Sequence, residues 1–134
     1  MKILVTSGGT SESIDSVRSI TNHSTGRLGK IITETLLAAG HEVCLITTKR
    51  AVKPEAHPNL SILEINNTKD LLLEMQERIK DYQVLIHSMA VSDYTPVYMT
   101  GLEEVQASSN LEEFLNKQNH QAKISSTDEV QVLF

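Results

Sequence analysis

Short apolar runs alternate with helix-period stretches over the first two thirds of the chain. Lys2–Thr6 is β-branched and apolar and is closed by Gly8-Gly9, which predicts a buried strand. From Leu28 the apolar residues Leu28, Ile31, Ile32, Leu36 and Ala39 recur at helical spacing. Ser24 or Thr25 is the expected cap of this helix and Gly40 its stop. Glu42–Thr47 reads as a second strand. The stretch 48–59, with Pro54, Pro58 and the basic residues Lys49, Arg50 and Lys53, reads as an exposed loop. Leu60–Ile65 alternates like a third strand. Asn67 then caps a helix running to about Lys80, with Leu71, Leu72, Met75 and Ile79 expected to face inward. Gln83–His87 is a fourth strand. This succession predicts an α/β fold, a Rossmann-like three-layer sandwich around a mainly parallel sheet.

The character changes after Met89. Ser92–Gly101 is turn-rich, Leu111–Leu115 reads as a short helix capped by Ser109 or Asn110, and Glu129–Phe134 starts a new strand. We expect one domain over 1–134, with 92–128 as a flap-like loop region. A closing strand with no helix after it would leave an open edge and an uncovered face. That predicts a sheet incomplete at the carboxyl end. Either the chain is a fragment of a longer protein or it is half of an intimate oligomer, and the fragment reading is the stronger.

Composition narrows the class of partner. Aromatic residues are only 4% of the chain, so the core must rest on Ile, Leu and Val. The net charge of −5, with scattered Lys and Arg, offers no basic stripe for nucleic acid. The lone Cys44 lies in an apolar run and fits a buried hydrophobe in a reducing compartment. No segment reads as a signal peptide or membrane span, so a cytoplasmic location is expected. No grouping has zinc-ligand spacing, and no metal site is predicted.

The candidate chemistry sits where strands end. Gly8, Gly9 and Thr10 follow the first strand, and Ser24, Thr25 and Gly26 precede the first helix. Together they bracket a loop rich in hydroxyls and free amides, a setting that suits phosphate. Taken alone, Gly-Gly-Thr is equally well a tight turn. Asn22 could aim an uncharged amide donor at an oxyanion, or simply form a turn or cap. Arg18 could grip phosphate in a fork, or be a solvated surface residue. His87, Ser88, Met89, Ala90 and Asp93 follow the fourth strand, again at a carboxyl edge where ligands bind. Lys123 could neutralise phosphate charge from a loop. Neither G-x-G-x-x-G nor G-x-x-x-x-G-K-[ST] is present, and no acidic residue ends the second strand. These absences argue against an NAD(P)-dependent oxidoreductase. A noncatalytic nucleotide-binding module remains an alternative.

The segments Ser7-Gly8-Gly9-Thr10, Ile14-Asp15-x-x-Arg18-x-Ile20-Thr21-Asn22-His23-Ser24-Thr25-Gly26 and Met89-Ala90-Val91-Ser92-Asp93-Tyr94 closely resemble the phosphopantothenate–cysteine ligases (phosphopantothenoylcysteine synthetases) of coenzyme A biosynthesis. Lys123-Ile124-Ser125-Ser126 is similar to their mobile lysine-containing flap. With Met1 directly before the first strand, the chain looks most like the amino-terminal portion of the stand-alone bacterial form. The resemblance implies that CTP, or ATP, with Mg2+ activates the carboxylate of 4′-phosphopantothenate. Cysteine then attacks the acyl-nucleotidyl intermediate. It further implies Asn22 and Lys123 as catalytic residues. Gly8, Gly9, Thr10, His87, Ser88, Met89, Asp93 and Lys123 would contact the nucleotide. Arg18, Asn22, Ser24, Thr25, Gly26 and Ala90 would contact the pantothenate substrate, within a homodimer. Family members continue past the position of Phe134 with further strands and phosphate contacts.

Overall fold

The structure is a computed structural model that describes residues 1–118, 124 and 130–134. The elements run in the order Lys2–Thr6 (β1), Ser11–Ser13 (β2), Ser19–Thr21 (β3), Arg27–Ala38 (α1), Glu42–Thr48 (β4), Leu60–Ile65 (β5), Thr68–Arg78 (α2), Val84–His87 (β6), Met99–Gly101 (β7), Leu102–Ala107 (α3) and Gln131–Leu133 (β8). Short 3₁₀ turns occupy Ile79–Asp81 and Leu111–Asn116. The chain resolves into two compact units, one formed by residues 1–11 and 21–92 and the other by 12–20 and 93–134.

The first unit is a parallel sheet in the order β5-β4-β1-β6. Ile3 sits level with Val43 on one side and Val84 on the other. Because side chains alternate across a strand, the apolar runs of β1 and β4 feed two cores at once. Ile3, Val5, Val43 and Leu45 pack with Leu37 of α1 on one face. Leu4, Cys44, Ile46 and Ile65 pack with Leu71 of α2 and with Met89 on the other. Fully burying such a side chain contributes about 1.5–3 kcal/mol, so this double-sided core is what holds the unit together. The α/β/α sandwich expected from the sequence is observed.

Both helices depart from the expected inward stripes. In α1 the buried residues are Gly29, Thr33 and Leu37, while Leu28 is 63% exposed and Ile31 53%. The reason is contact distance. A Cβ built on Gly29 would lie 2.3 Å from Ser7 Cβ, so small residues must face the sheet and the larger Leu28 and Ile31 turn outward. The cap position also differs: Gly26, in the left-handed region at φ 78°, occupies it, while the expected Thr25 stands one residue earlier and accepts from Arg27 N at 3.4 Å. At the other end Gly40 (φ 85°) donates to Leu37 O, and His41 to Leu36 O, a complete Schellman stop. In α2 Leu71 is buried and Met75 packs beside it, but Leu72 and Ile79 are exposed. Asn67 caps this helix as expected, forming a capping box with Asp70.

The second unit has a different construction. The closing strand does not continue a parallel sheet: β8 pairs antiparallel with β7, Met99 opposite Leu133. Between them, α3 occupies part of the stretch expected to be flap-like loop, and the short helix expected over Leu111–Leu115 is the 3₁₀ turn Leu111–Asn116, capped by Asn110. Phe114, fully buried, stacks on Phe134 at 4.8 Å and lies 6.0 Å from Tyr98. The Lys117 ammonium sits 4.6 Å above the Phe114 ring and pairs with Glu104 at 2.8 Å. That contact holds the Lys117 pKa above, and the Glu104 pKa below, its ordinary value.

Candidate functional site

Where β1 ends, the chain is locked in place by close approaches. Ser7, fully buried, donates its hydroxyl to Gly26 O at 3.0 Å, which ties the strand exit to the start of α1. Gly8 has φ 91°, and a Cβ there would stand 2.7 Å from Thr48 Oγ1 and 2.9 Å from Ala51 Cβ. A Cβ on Gly9 would meet Asn22 O at 2.7 Å. Each glycine is therefore needed at its position, in one case for conformation as well as space. The ordinary tight-turn reading does not explain these contacts, because they run to two other chain segments, 22–26 and 48–51.

Gly9 and Ala90 form a parallel bridge. Around it, Ala90 N donates to Gly8 O (2.9 Å), Thr10 N to Ala90 O (3.0 Å), and Asn22 N to Thr10 O (3.2 Å). Ser92 N donates to Thr10 Oγ1 at 2.8 Å, and the two hydroxyls of Thr10 and Ser92 also lie 2.8 Å apart. Into this lattice reaches the Asn22 side chain. Its Nδ2 donates to Ala90 O and to Ser92 Oγ, both at 3.3 Å. Ala90 O can only accept, so the nitrogen edge of the amide is the one that faces it. At 3.3 Å both bonds are long, yet together they use both hydrogens of Nδ2, so an incoming acceptor has to displace one of these partners. Asn22 is half-buried, and its Oδ1 has no hydrogen-bond partner among the described residues.

The flanking groups are held as firmly. His87 Nδ1 and Thr6 Oγ1 share a hydrogen bond of 2.6 Å, while Ser88 Oγ donates to Thr6 O at 2.7 Å. Met89 points into the core, so only its backbone faces the strand ends. Thr25 O accepts from Val52 N at 2.9 Å, and Ser24 N donates to Asn22 O at 3.0 Å. The N-cap of α1, Gly26, has no side chain, and no acidic residue stands in the first turn. Of the first-turn amides, that of Arg27 donates to Thr25 Oγ1 at 3.4 Å, and no negative charge within that turn offsets the positive end of the dipole. Chemically, the arrangement offers neutral, directed N–H and O–H groups on a rigid frame, which suits oxygen-rich anions and an acyl carbonyl.

One residue that sequence reading assigned to an exposed loop is structural. Lys53 Nζ donates to the carbonyls of Thr48, Lys49 and Ala51 at 3.0–3.1 Å and pairs with Glu64 at 3.3 Å. It thereby fixes the turn against which Gly8 and Gly26 pack. Ser92 and Ser7 were also missed as site-building groups. Their only signal was a hydroxyl within the quoted motifs.

A sequence model of the DNA/pantothenate metabolism flavoprotein C-terminal domain matches residues 1–128. The chain belongs to this family. A Streptococcus pneumoniae structure described as a DNA/pantothenate metabolism flavoprotein is 90% identical, with a TM-score of 0.94 over the whole of this chain and 58% of its own. A structure of the C-terminal domain of the coenzyme A biosynthesis bifunctional protein CoaBC is 34% identical, with a TM-score of 0.65 over 72% of this chain and 48% of its own. The full CoaBC of Thermococcus kodakarensis is 39% identical over 95 residues, 69% of this chain. That match spans 23% of the curated relative's length.

Among the expected site residues, the structure brings together Gly8, Gly9, Thr10, Asn22 and Ala90, with Ser24, Gly26, His87 and Ser88 tied to the same strand ends. Arg18 and Asp93 fall in the second unit, where Asp93 is exposed and Arg18 is paired with Asp15. Lys123 lies outside the described residues. Among those described, no group of three His, Cys, Asp or Glu side chains is placed to hold a metal ion, and no helix is long and apolar enough to cross a membrane.

Proposed function

We propose that this chain supplies the phosphopantothenate- and nucleotide-binding part of a ligase of coenzyme A biosynthesis. The ligase joins 4′-phosphopantothenate to cysteine through an acyl-nucleotidyl intermediate, at the expense of CTP or ATP. The family membership and the coenzyme A biosynthesis role named for CoaBC support the pathway. The observation that carries the chemistry is the Asn22 amide, poised on Ala90 O and Ser92 Oγ beside the Gly8–Thr10 backbone.

In this reading the Asn22 amide gives up one of its two long bonds, to Ala90 O or Ser92 Oγ, and donates that uncharged N–H to the acyl oxygen as negative charge gathers there. A neutral donor stabilises that charge without pulling the substrate's own phosphate out of register. Ala90 and the residues around it hold the pantothenate arm. The amides of Gly8–Thr10 and the backbone of His87–Met89 hold the nucleotide, with Asp93 as an acceptor for it. Mg2+ arrives with the nucleotide phosphates and needs little dedicated protein. Lys123 contacts the phosphates, and Arg18 contacts the substrate's phosphate within a homodimer working in the cytoplasm.

The test uses the complete polypeptide. Pyrophosphate release should require CTP, 4′-phosphopantothenate and Mg2+ together, and amide product should require cysteine. Asn22→Asp puts an anion where a donor is needed and should lower kcat by about 10²–10³-fold, with the acyl-nucleotidyl species accumulating. Lys123→Ala should slow activation while leaving the fold intact. Absence of an acyl-nucleotidyl species with both parent and Asn22→Asp protein contradicts the assignment.

A further inference from the structure

We propose that the turn after β4 is a monovalent-cation cage, that its cation is the protein's own Lys53 ammonium, and that this tethered charge sets the position of the Gly8 and Gly26 backbones. Lys53 Nζ donates to Thr48 O at 3.0 Å, to Lys49 O at 3.1 Å and to Ala51 O at 3.1 Å. An ammonium has three hydrogens, so the three carbonyls use them all. Glu64 Oε1, 3.3 Å away, adds a fourth oxygen and a negative charge, and only 24% of the lysine side chain is exposed. Four such oxygens turned to one point repel one another, so the arrangement holds only around a positive charge. Main-chain carbonyls grouped in this way replace the hydration shell of potassium in ion channels.

The plainer explanation is a surface ion pair between Lys53 and Glu64, which would be worth little. The distances reject it: each carbonyl stands nearer to Nζ than the carboxylate does, and the Glu64 side chain is 51% exposed. Nor does the turn close itself. Its own main-chain bond, Ala51 N to Thr48 O at 3.1 Å, gives the Lys49 and Ala51 carbonyls no partner. What the cage holds in place is Ala51, whose carbonyl is one of its ligands. Ala51 is buried, and its Cβ lies 2.9 Å from where a Cβ on Gly8 would stand and 2.8 Å from where one on Gly26 would. Beside it, Val52 N donates to Thr25 O at 2.9 Å. One residue therefore abuts both the exit of β1 and the entrance of α1. Displacing it releases the two backbones together.

The functional consequence rests on the reading of the Gly8–Thr10 backbone as a nucleotide contact: Lys53 is then a positioning residue that acts through Ala51. Two readouts separate this inference from that reading. In the full chain, amide hydrogen exchange followed by NMR should show the Ala51 and Val52 amides protected. Lys53→Met keeps the apolar stem but not the charge. It should raise both exchange rates at least tenfold, while the Leu4 and Leu45 amides keep their protection and certify the fold. Lys53→Ala vacates the cage as well. In that variant ammonium chloride should slow the exchange again at least fivefold by binding the folded form, and the same concentration of tetramethylammonium chloride, too large for the cage, should not. Lys53→Met, its stem still in the space, should respond to neither salt. Parent-like exchange in Lys53→Met, or equal effects of the two salts on Lys53→Ala, overturns the cage. If Lys53→Ala does not fold, the exchange rates of the methionine variant decide alone. In the complete polypeptide, the Kd for Mg-CTP should rise at least fivefold in Lys53→Ala and fall back with ammonium but not with tetramethylammonium. An unchanged Kd with released Ala51 and Val52 amides overturns the positioning role. A parent that does not bind Mg-CTP defeats the nucleotide reading alone, because the exchange results stand independently of it.

Discussion

The two units of this chain reach order by opposite means. The unit of residues 1–11 and 21–92 rests on a parallel sheet whose strands are apolar on both faces, with Leu4, Val5, Leu45 and Ile46 fully buried. The loop that follows β1 is then shaped by glycines that let backbones touch. Among its described residues, the unit of residues 12–20 and 93–134 buries few apolar side chains. It depends on one aromatic stack around Phe114 and on charged groups that bond to backbone, Asp15 and Arg18 foremost. Non-directional burial tolerates exchange of one aliphatic residue for another. A directional clamp fails when a single donor or acceptor is lost. The first unit should therefore be robust and rigid, and the second sensitive to single substitutions.

Phe114→Ala puts the largest strain on that contrast. It removes the centre of the stack and should cost the second unit about 3–5 kcal/mol. Amides of Met99–Gly101 and Gln131–Leu133 should then exchange rapidly while those of Leu4 and Leu45 stay protected. Loss of protection in both places at once would mean that the two units share one cooperative core. Gly29→Ala probes the first unit. Alanine gains about 1 kcal/mol of helix propensity, but its Cβ would fall 2.3 Å from Ser7. The clash should win, with a net loss of about 1–2 kcal/mol in urea unfolding. A stabilised variant would show that α1 can slide along the sheet. The smallest effect is a gain. Thr33 Oγ1 is buried with no hydrogen-bond partner among the described residues. Thr33→Val keeps the shape and removes a desolvated hydroxyl, so stability should rise by about 1 kcal/mol.

The same contrast explains what could be read from the sequence. β1, β4, β5 and β6 were legible because a strand buried on both faces is a short apolar run bounded by turn residues. Asn67 was legible because capping is local chemistry. The inward face of α1 was not. Hydropathy counts Leu28 and Ile31 and gives no weight to Gly29, yet the sheet sits closest to the glycine. β8 was legible as a strand within Glu129–Phe134, but the three residues of β7 carry too little pattern to register, and the pairing of the two is long-range. For the site, Gly8–Thr10, Asn22 and Ala90 were legible as motifs at strand ends. The hold of Lys53 on its own turn is local but has no hydropathy signal, whereas the hydroxyl of Ser92 and the bonds to Ile124 depend on partners far along the chain. No local spacing encodes them.

The central claim is that Gly8–Thr10, Asn22 and Ala90–Ser92 form a single receptor for oxygen-rich anions. It is tested most directly by NMR titration of the complete polypeptide with 4′-phosphopantothenate and then with Mg-CTP. The account predicts shifts confined first to the Asn22 side-chain NH2 and the Ala90–Ser92 amides, and then extending to the Gly8–Thr10 amides. In Asn22→Asp the first response should weaken and the second persist. Saturable binding of both compounds that leaves these groups unmoved would contradict it.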